Sequence, residues 1–168
     1  MFDDRPSSPI VATDPYRTSI EIVAPPTVVY RYLTEPESLV RWMGDYAVLD
    51  ARPGGEFTVD INGVPVRGHY IELDPPFRLV IAWGHAGSER FPPGSTTVEI
   101  TLEADGGRTK LSLEHRDLPP DEARMHAIGW PHFLDQLATA ATGRYPGPDP
   151  FATTPPPSPT DPGAHVAG

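Results

Sequence analysis

His115, Tyr70 and Glu72 are the side chains of this sequence best suited to chemistry. An imidazole titrates near neutrality and can take or give a proton, and a phenol with a carboxylate would complete an acid–base set. His115 closes an alternating stretch, Thr109-Lys-Leu-Ser-Leu-Glu-His115, on the same side as Leu111 and Leu113. Two readings fit it: a group that hydrogen-bonds a polar ligand or moves a proton, and a core histidine satisfied by a backbone carbonyl or a water. Tyr70 and Trp83 fall on apolar strand faces, each with an apolar body and one polar tip. Lining a pocket and packing a core leave the same trace in sequence for both. Glu72 has the parity of Tyr70, yet toward a strand's end it equally suits a solvated rim.

Other chemistries find no footing. The chain has no cysteine, which excludes disulfides, thiolate metal sites and cysteine nucleophiles and fits a reducing, cytoplasmic setting. His126 and His132 are six residues apart, poor helical spacing for one metal, and no His-Glu-x-x-His pattern occurs, so neither metal nor cofactor is expected. Gly54-Gly55, Gly63 and Gly106-Gly107 fall between strand patterns, where they make turns rather than phosphate cradles. There is no Gly-x-Ser-x-Gly elbow.

The net charge is −10, and residues 17–143 hold 18 acidic against 11 basic groups. That balance disfavours nucleic acid and anionic membrane surfaces and favours solubility. No window is apolar enough to span a membrane, and residues 1–30 lack the pattern of a secretory signal. Both ends differ from the middle. Residues 1–16 carry three prolines and no apolar period, and residues 144–168 carry eight prolines and almost no core candidates. They are expected to be a flexible segment and a disordered proline-rich tail around one domain at 17–143.

Within that domain the elements follow from periodicity. Arg17–Ala24 alternates around Ile20 and Ile22. Pro25-Pro26 opens a short helix at about 26–33, and Thr34 can cap a second one through Leu39, Trp42 and Met43. Asn62-Gly63 between alternating segments predicts a type I′ hairpin that sets Ile61 opposite Val64, Val59 opposite Val66 and Phe57 opposite Gly68. Gly68 would leave room beside the Phe57 ring or a ligand. Phe77, Leu79, Ile81 and Trp83 form the next inward face, followed by a loop over 85–94. Val98, Ile100 and Leu102 then alternate, and the chain returns through Leu111, Leu113 and His115. From Asp121 a long helix carries Trp130, Phe133, Leu134 and Leu137 as one stripe. Gly129 and Pro131 predict a kink near 127–131 or a separate helix over 121–128.

This order, a strand, two short helices, a run of antiparallel strands and a terminal helix, resembles the helix-grip fold of the START-like, or SRPBCC, superfamily. Several stretches resemble more specifically the family named for the heat-shock-protein-90 ATPase activator. They are Ile22-Val-Ala-Pro-Pro-Thr-Val-Val-Tyr30, Leu39-Val-Arg-Trp-Met43, Gly54-Gly-Glu-Phe57 and Gly68-His-Tyr70. Pro75-Pro-Phe-Arg-Leu-Val-Ile-Ala-Trp83, Thr96-Thr-Val-Glu99, Leu113-Glu-His115 and Gly129-Trp-Pro-His-Phe-Leu134 continue the likeness. The resemblance implies an α+β fold: a curved antiparallel sheet of six to seven strands wrapped on a long C-terminal helix. Its members include lipid carriers, receptors, polyketide cyclases and chaperone activators, so the fold alone does not decide the function.

The expectation is a soluble protein that binds an apolar or amphipathic small molecule between sheet and helix. Tyr70, Trp83 and His115 would orient one polar group of it. Trp42, Phe57, Val59, Trp130 and Leu134 would form the walls. Two alternatives stand beside it: a cyclase- or aldolase-type enzyme using His115, Glu72 and Tyr70, and, as the resemblance implies, a chaperone ATPase activator or partner-binding regulator.

Overall fold

A computed structural model of the chain describes residues 15–144. The expectations for residues 1–14 and 145–168 lie outside the described residues. In chain order the elements are β1 (Tyr16–Ile22), α1 (Pro26–Thr34), α2 (Pro36–Leu39), β2 (Tyr46–Leu49), β3 (Glu56–Ile61) and β4 (Val64–Asp74). They continue with β5 (Arg78–His85), β6 (Thr96–Asp105), β7 (Arg108–Arg116) and α3 (Pro120–Ala141). The strands form one seven-stranded antiparallel sheet in the order β1-β7-β6-β5-β4-β3-β2. This curved sheet with its long C-terminal helix is the α+β architecture expected.

The turn chemistry explains the ladders. Asn62 and Gly63 both have positive φ, 51° and 86°, the requirement of a type I′ turn whose twist matches the flanking strands. Ile61 therefore pairs with Val64, Val59 with Val66 and Phe57 with Gly68. Phe57, Val59, Val66, Tyr70, Leu79, Ile81, Val98, Leu111 and Leu113 are all buried against the inner side of the helices. Trp130, Leu134, Leu137 and Ala140 close the same core from α3.

Several local expectations are corrected. Thr34 does not cap α2, because it is still helical in α1 and its hydroxyl donates back to the Tyr30 carbonyl at 3.0 Å. Phe77 is 47 % exposed instead of inward, since it belongs to the turn before β5, with its N–H on the Asp74 carbonyl. Pro131 lies inside α3, which runs unbroken from Pro120 to Ala141, so no separate helix forms over 121–128. Val80 and Ala82 are buried on the face expected to be wet. Val80 sits in register with Glu72 and Glu99, whose carboxylates both hold the Arg78 guanidinium, so long side chains cover it.

The correction with most bearing on function is in β4. Tyr70 pairs with Ile81, but Glu72 pairs with Val80 and Leu73 with Leu79, so a β-bulge at Ile71 inserts one residue. Beyond it the parity reverses. Leu73 takes the inward side, and Glu72 turns outward to an exposed ion pair with Arg78 at 2.7 Å.

Candidate functional site

The inner face of the sheet does not meet α3 everywhere. At one end a half-enclosed cavity of about 590 Å³ remains. One wall is the β3–β4 hairpin tip from Ile61 to Val66, a second is the end of β5 and the loop from His85 to Arg90, and a third is the first half of α3 from Asp121 to Phe133. Met43 contributes from the segment after α2, and Trp83 and Trp130 form an aromatic floor with ring centroids 5.3 Å apart. A volume of this size is in the usual range of small-molecule sites.

Beneath the floor lies a saturated polar chain. The Trp130 indole N–H donates to His115 Nδ1 at 3.1 Å. Nδ1 therefore carries the lone pair, and Nε2 carries the proton it gives to Thr96 Oγ1 at 2.8 Å. The Thr96 hydroxyl in turn donates to the Trp83 carbonyl at 2.8 Å. His115 is fully buried, and desolvation, with smaller effects of His126 and His85, holds its pKa well below the ordinary value. Both ring nitrogens are spent on protein, so this histidine ties β7 to α3 and β6 and has no atom left for a ligand.

His126 occupies the cavity wall itself. Its Nδ1 lies 2.7 Å from the Glu122 carbonyl, which only accepts, so Nδ1 is protonated and Nε2 carries the lone pair. Its ring packs edge-on to His115 at 4.9 Å and Phe91 at 5.5 Å. Burial pushes its pKa down to about 4, partly opposed by that backbone hydrogen bond. Glu122, one turn earlier, also lines the cavity with its side chain 16 % exposed. Burial first, and Asp121 second, push its carboxyl above the ordinary range, with Arg90 pulling the other way. Asp121 is different: Arg90 at 2.9 Å and Arg124 at 2.9 Å hold it low. Two buried polar atoms lack a partner among the described residues, Tyr30 Oη and Trp83 Nε1, and the second belongs to the cavity floor.

These shifts set a pH response. A ring kept neutral in the native state takes its proton later than in the unfolded chain. Stability is then flat above pH about 6.5 and falls as the pH drops toward His126's value of about 4. His126 alone should remove about 2 kcal/mol between pH 7 and pH 5, with His115 acting in the same direction. Glu122, with a raised native pKa, gains protons earlier when folded and works against the loss. Urea unfolding at the two pH values reads the difference, and His126→Phe should flatten the slope while Glu122→Gln steepens it. A stability unchanged between pH 7 and 5 in the wild type would contradict the buried neutral rings.

Of the residues anticipated for the site, Trp83 and Trp130 line the cavity. Phe57, Val59, Leu134 and Trp42 lie in the packed core beneath it, each no more than 2 % exposed. The Trp42 indole N–H is spent on the Tyr32 carbonyl at 2.9 Å. Tyr70 is buried edge-on to Phe57, and its hydroxyl donates to the Leu33 carbonyl at 3.0 Å, where burial raises its pKa. Tyr70, His115 and Glu72 consequently face three different surroundings and do not assemble into an acid–base set. Glu122, Met125 and His126 are cavity residues that sequence reasoning did not place at the site, and Phe133, expected within the Trp130 stripe, joins them. Their signal was present on α3 as Glu122, Met125 and His126, spaced by three and four on a face flanking the Trp130 stripe.

The sequence pattern of the family described as Activator of Hsp90 ATPase homolog 1-like protein matches residues 23–142. The chain belongs to that family. Its fold neighbours include an AHSA1-like protein from Rhizobium etli, 42 % identical over 82 % of this chain and 87 % of that one, with a TM-score of 0.65. A second neighbour is DynU16, a protein of the dynemicin biosynthetic locus, with a TM-score of 0.69 and 23 % identity over 82 % of this chain. This Activator of Hsp90 ATPase homolog 1-like chain spans about half the length of DynU16, 51 %. A third is an HSP90 activator from Plasmodium falciparum, 20 % identical over 76 % of this chain and 96 % of that one, with a TM-score of 0.64. The last two likenesses are of fold. No curated protein matches this family member. Among the described residues, no helix is long and apolar enough to cross a membrane, and no group of three or more His, Cys, Asp or Glu is placed to hold a metal ion.

Proposed function

We propose that the domain at 17–143 binds an apolar or amphipathic small molecule in the cavity between the β3–β4 tip, the loop after β5 and α3. The cavity of about 590 Å³ with its Trp83–Trp130 floor is the observation that carries this reading. Ile61, Val64, Met43, Met125 and Phe133 supply apolar wall. Each 100 Å² of ligand surface they cover contributes about 2.5 kcal/mol before the costs of association. The enzyme alternative loses its motive with the dispersal of Tyr70, Glu72 and His115. Nothing in the described geometry favours the chaperone-activator alternative over ligand binding.

A neutral solvatochromic dye and native mass spectrometry of the protein with lipid extracts test the proposal. A stoichiometric adduct and a blue-shifted emission are expected. Val64→Trp, which fills the mouth from a half-buried position, should weaken dye binding by about tenfold while the protein stays folded. No adduct across a broad panel, or dye binding untouched by Val64→Trp, would remove the cavity from consideration.

A further inference from the structure

We propose that the cavity selects ligands bearing a protonated amine on an apolar body, with the Glu122 carboxylate as counter-ion and His126 as hydrogen-bond acceptor. This rests on the small-molecule reading above and names the ligand's chemical class. Four formally charged residues line the cavity: Glu89, Arg90, Asp121 and Glu122. The single cation among them, Arg90, is bound to Asp121 at 2.9 Å, and Asp121 holds Arg124 as well. Glu122 has no lysine or arginine within salt-bridge distance among the described residues, its nearest partner being the neutral His126 ring with Nδ1 at 3.8 Å. A mostly buried carboxylate without a cation is costly, and that cost is relieved by whatever positive group enters beside it.

The surroundings match an ammonium in three further ways. An ammonium only donates hydrogen bonds, and the two polar groups offered by this stripe of α3, the Glu122 carboxylate and His126 Nε2, only accept. They lie four residues apart, on one helical face. Trp83 and Trp130 border the cavity with aromatic rings of the kind that attract a cation, while Met125 and Phe133 supply apolar lining. The positive end of the α3 dipole opposes a cation, but Asp121 and Glu122 occupy that first turn and offset it. Among the described residues, an anion would meet the carboxylates of Glu89 and Glu122, with Arg90 already held by Asp121 and the His85 ring and Trp83 N–H the remaining groups to receive it, and a neutral isostere would leave Glu122 as it was.

The test uses the full chain and three probes of one shape, naphthylethylamine, naphthylethanol and naphthylacetate, titrated calorimetrically at pH 7. The amine should bind about tenfold tighter than the alcohol, and the acid weakest of the three. Glu122→Gln should bring the amine to the affinity of the alcohol and leave the alcohol unchanged. Equal affinity of amine and alcohol, a preference for the acid, or an amine preference that survives Glu122→Gln would overturn the inference while leaving the cavity reading intact. Failure of all three probes to bind would overturn both. The comparison of probes on the wild-type protein decides the matter even where the variant folds poorly.

Discussion

His115→Ala is expected to cost the fold about 4 kcal/mol in urea unfolding at pH 7. The imidazole is completely buried and is hydrogen-bonded at both nitrogens, to Trp130 from α3 and Thr96 from β6. Truncation leaves a void where the ring was and orphans the Trp130 N–H, two separate penalties that add. Thr96→Val and Trp130→Phe each break one link and should cost about 2 kcal/mol, and paired with His115→Ala they should fall well short of additivity. The readout separates a strut from a ligand group. A His115→Ala protein as stable as wild type but unable to bind the dye would show that the ring serves the ligand after all.

The second large effect is at Gly68, where alanine should destabilise by about 3 kcal/mol. A Cβ there would sit 1.7 Å from the Ala82 carbonyl oxygen and 2.7 Å from its carbon. Both are backbone atoms of the neighbouring strand, so no side chain can rotate aside; β4 and β5 would have to part. Trp83 follows Ala82 directly and pairs with Gly68, so the cavity floor should move and dye affinity fall with stability. Gly129→Ala is the contrasting case. Nothing lies within 4 Å of its added Cβ, and in the interior of α3 alanine should gain about 0.8 kcal/mol. A Gly68→Ala protein within 1 kcal/mol of wild type would mean that the strands yield more easily than their packing implies.

The architecture was legible because its signals are local. Asn62-Gly63 specifies a turn, the turn specifies a register, and a period of two then assigns Phe57, Val59 and Val66 to one face. The same arithmetic placed His115 inward. It was silent on what His115 would meet, since Thr96 and Trp130 reach it from β6 and α3 across 19 and 15 residues. Glu72 shows a sharper boundary. One unpaired residue at Ile71 reverses the face of everything after it, and no residue type at that position announces a bulge. Gly68 leaves room for neither a ring nor a ligand, because the space beside it is claimed by a neighbouring carbonyl. Parity says which side chains point inward; it does not say where opposing surfaces fail to touch. That is why Phe57 and Leu134 became packed core, while Glu122 and His126, on the flank of the helical stripe, came to border the void.

The void is bounded on one side by the paired end of the β3–β4 hairpin at 61–66 and on another by the end of β5 and the loop that follows it to Arg90. Residues added to or trimmed from the loop between β5 and β6 leave the β3–β4 ladder in phase, whereas one added at Asn62-Gly63 would shift it. The cavity can therefore be resized through that single loop, with the Trp130–His115–Thr96 strut acting as a bulkhead between the change and the interior.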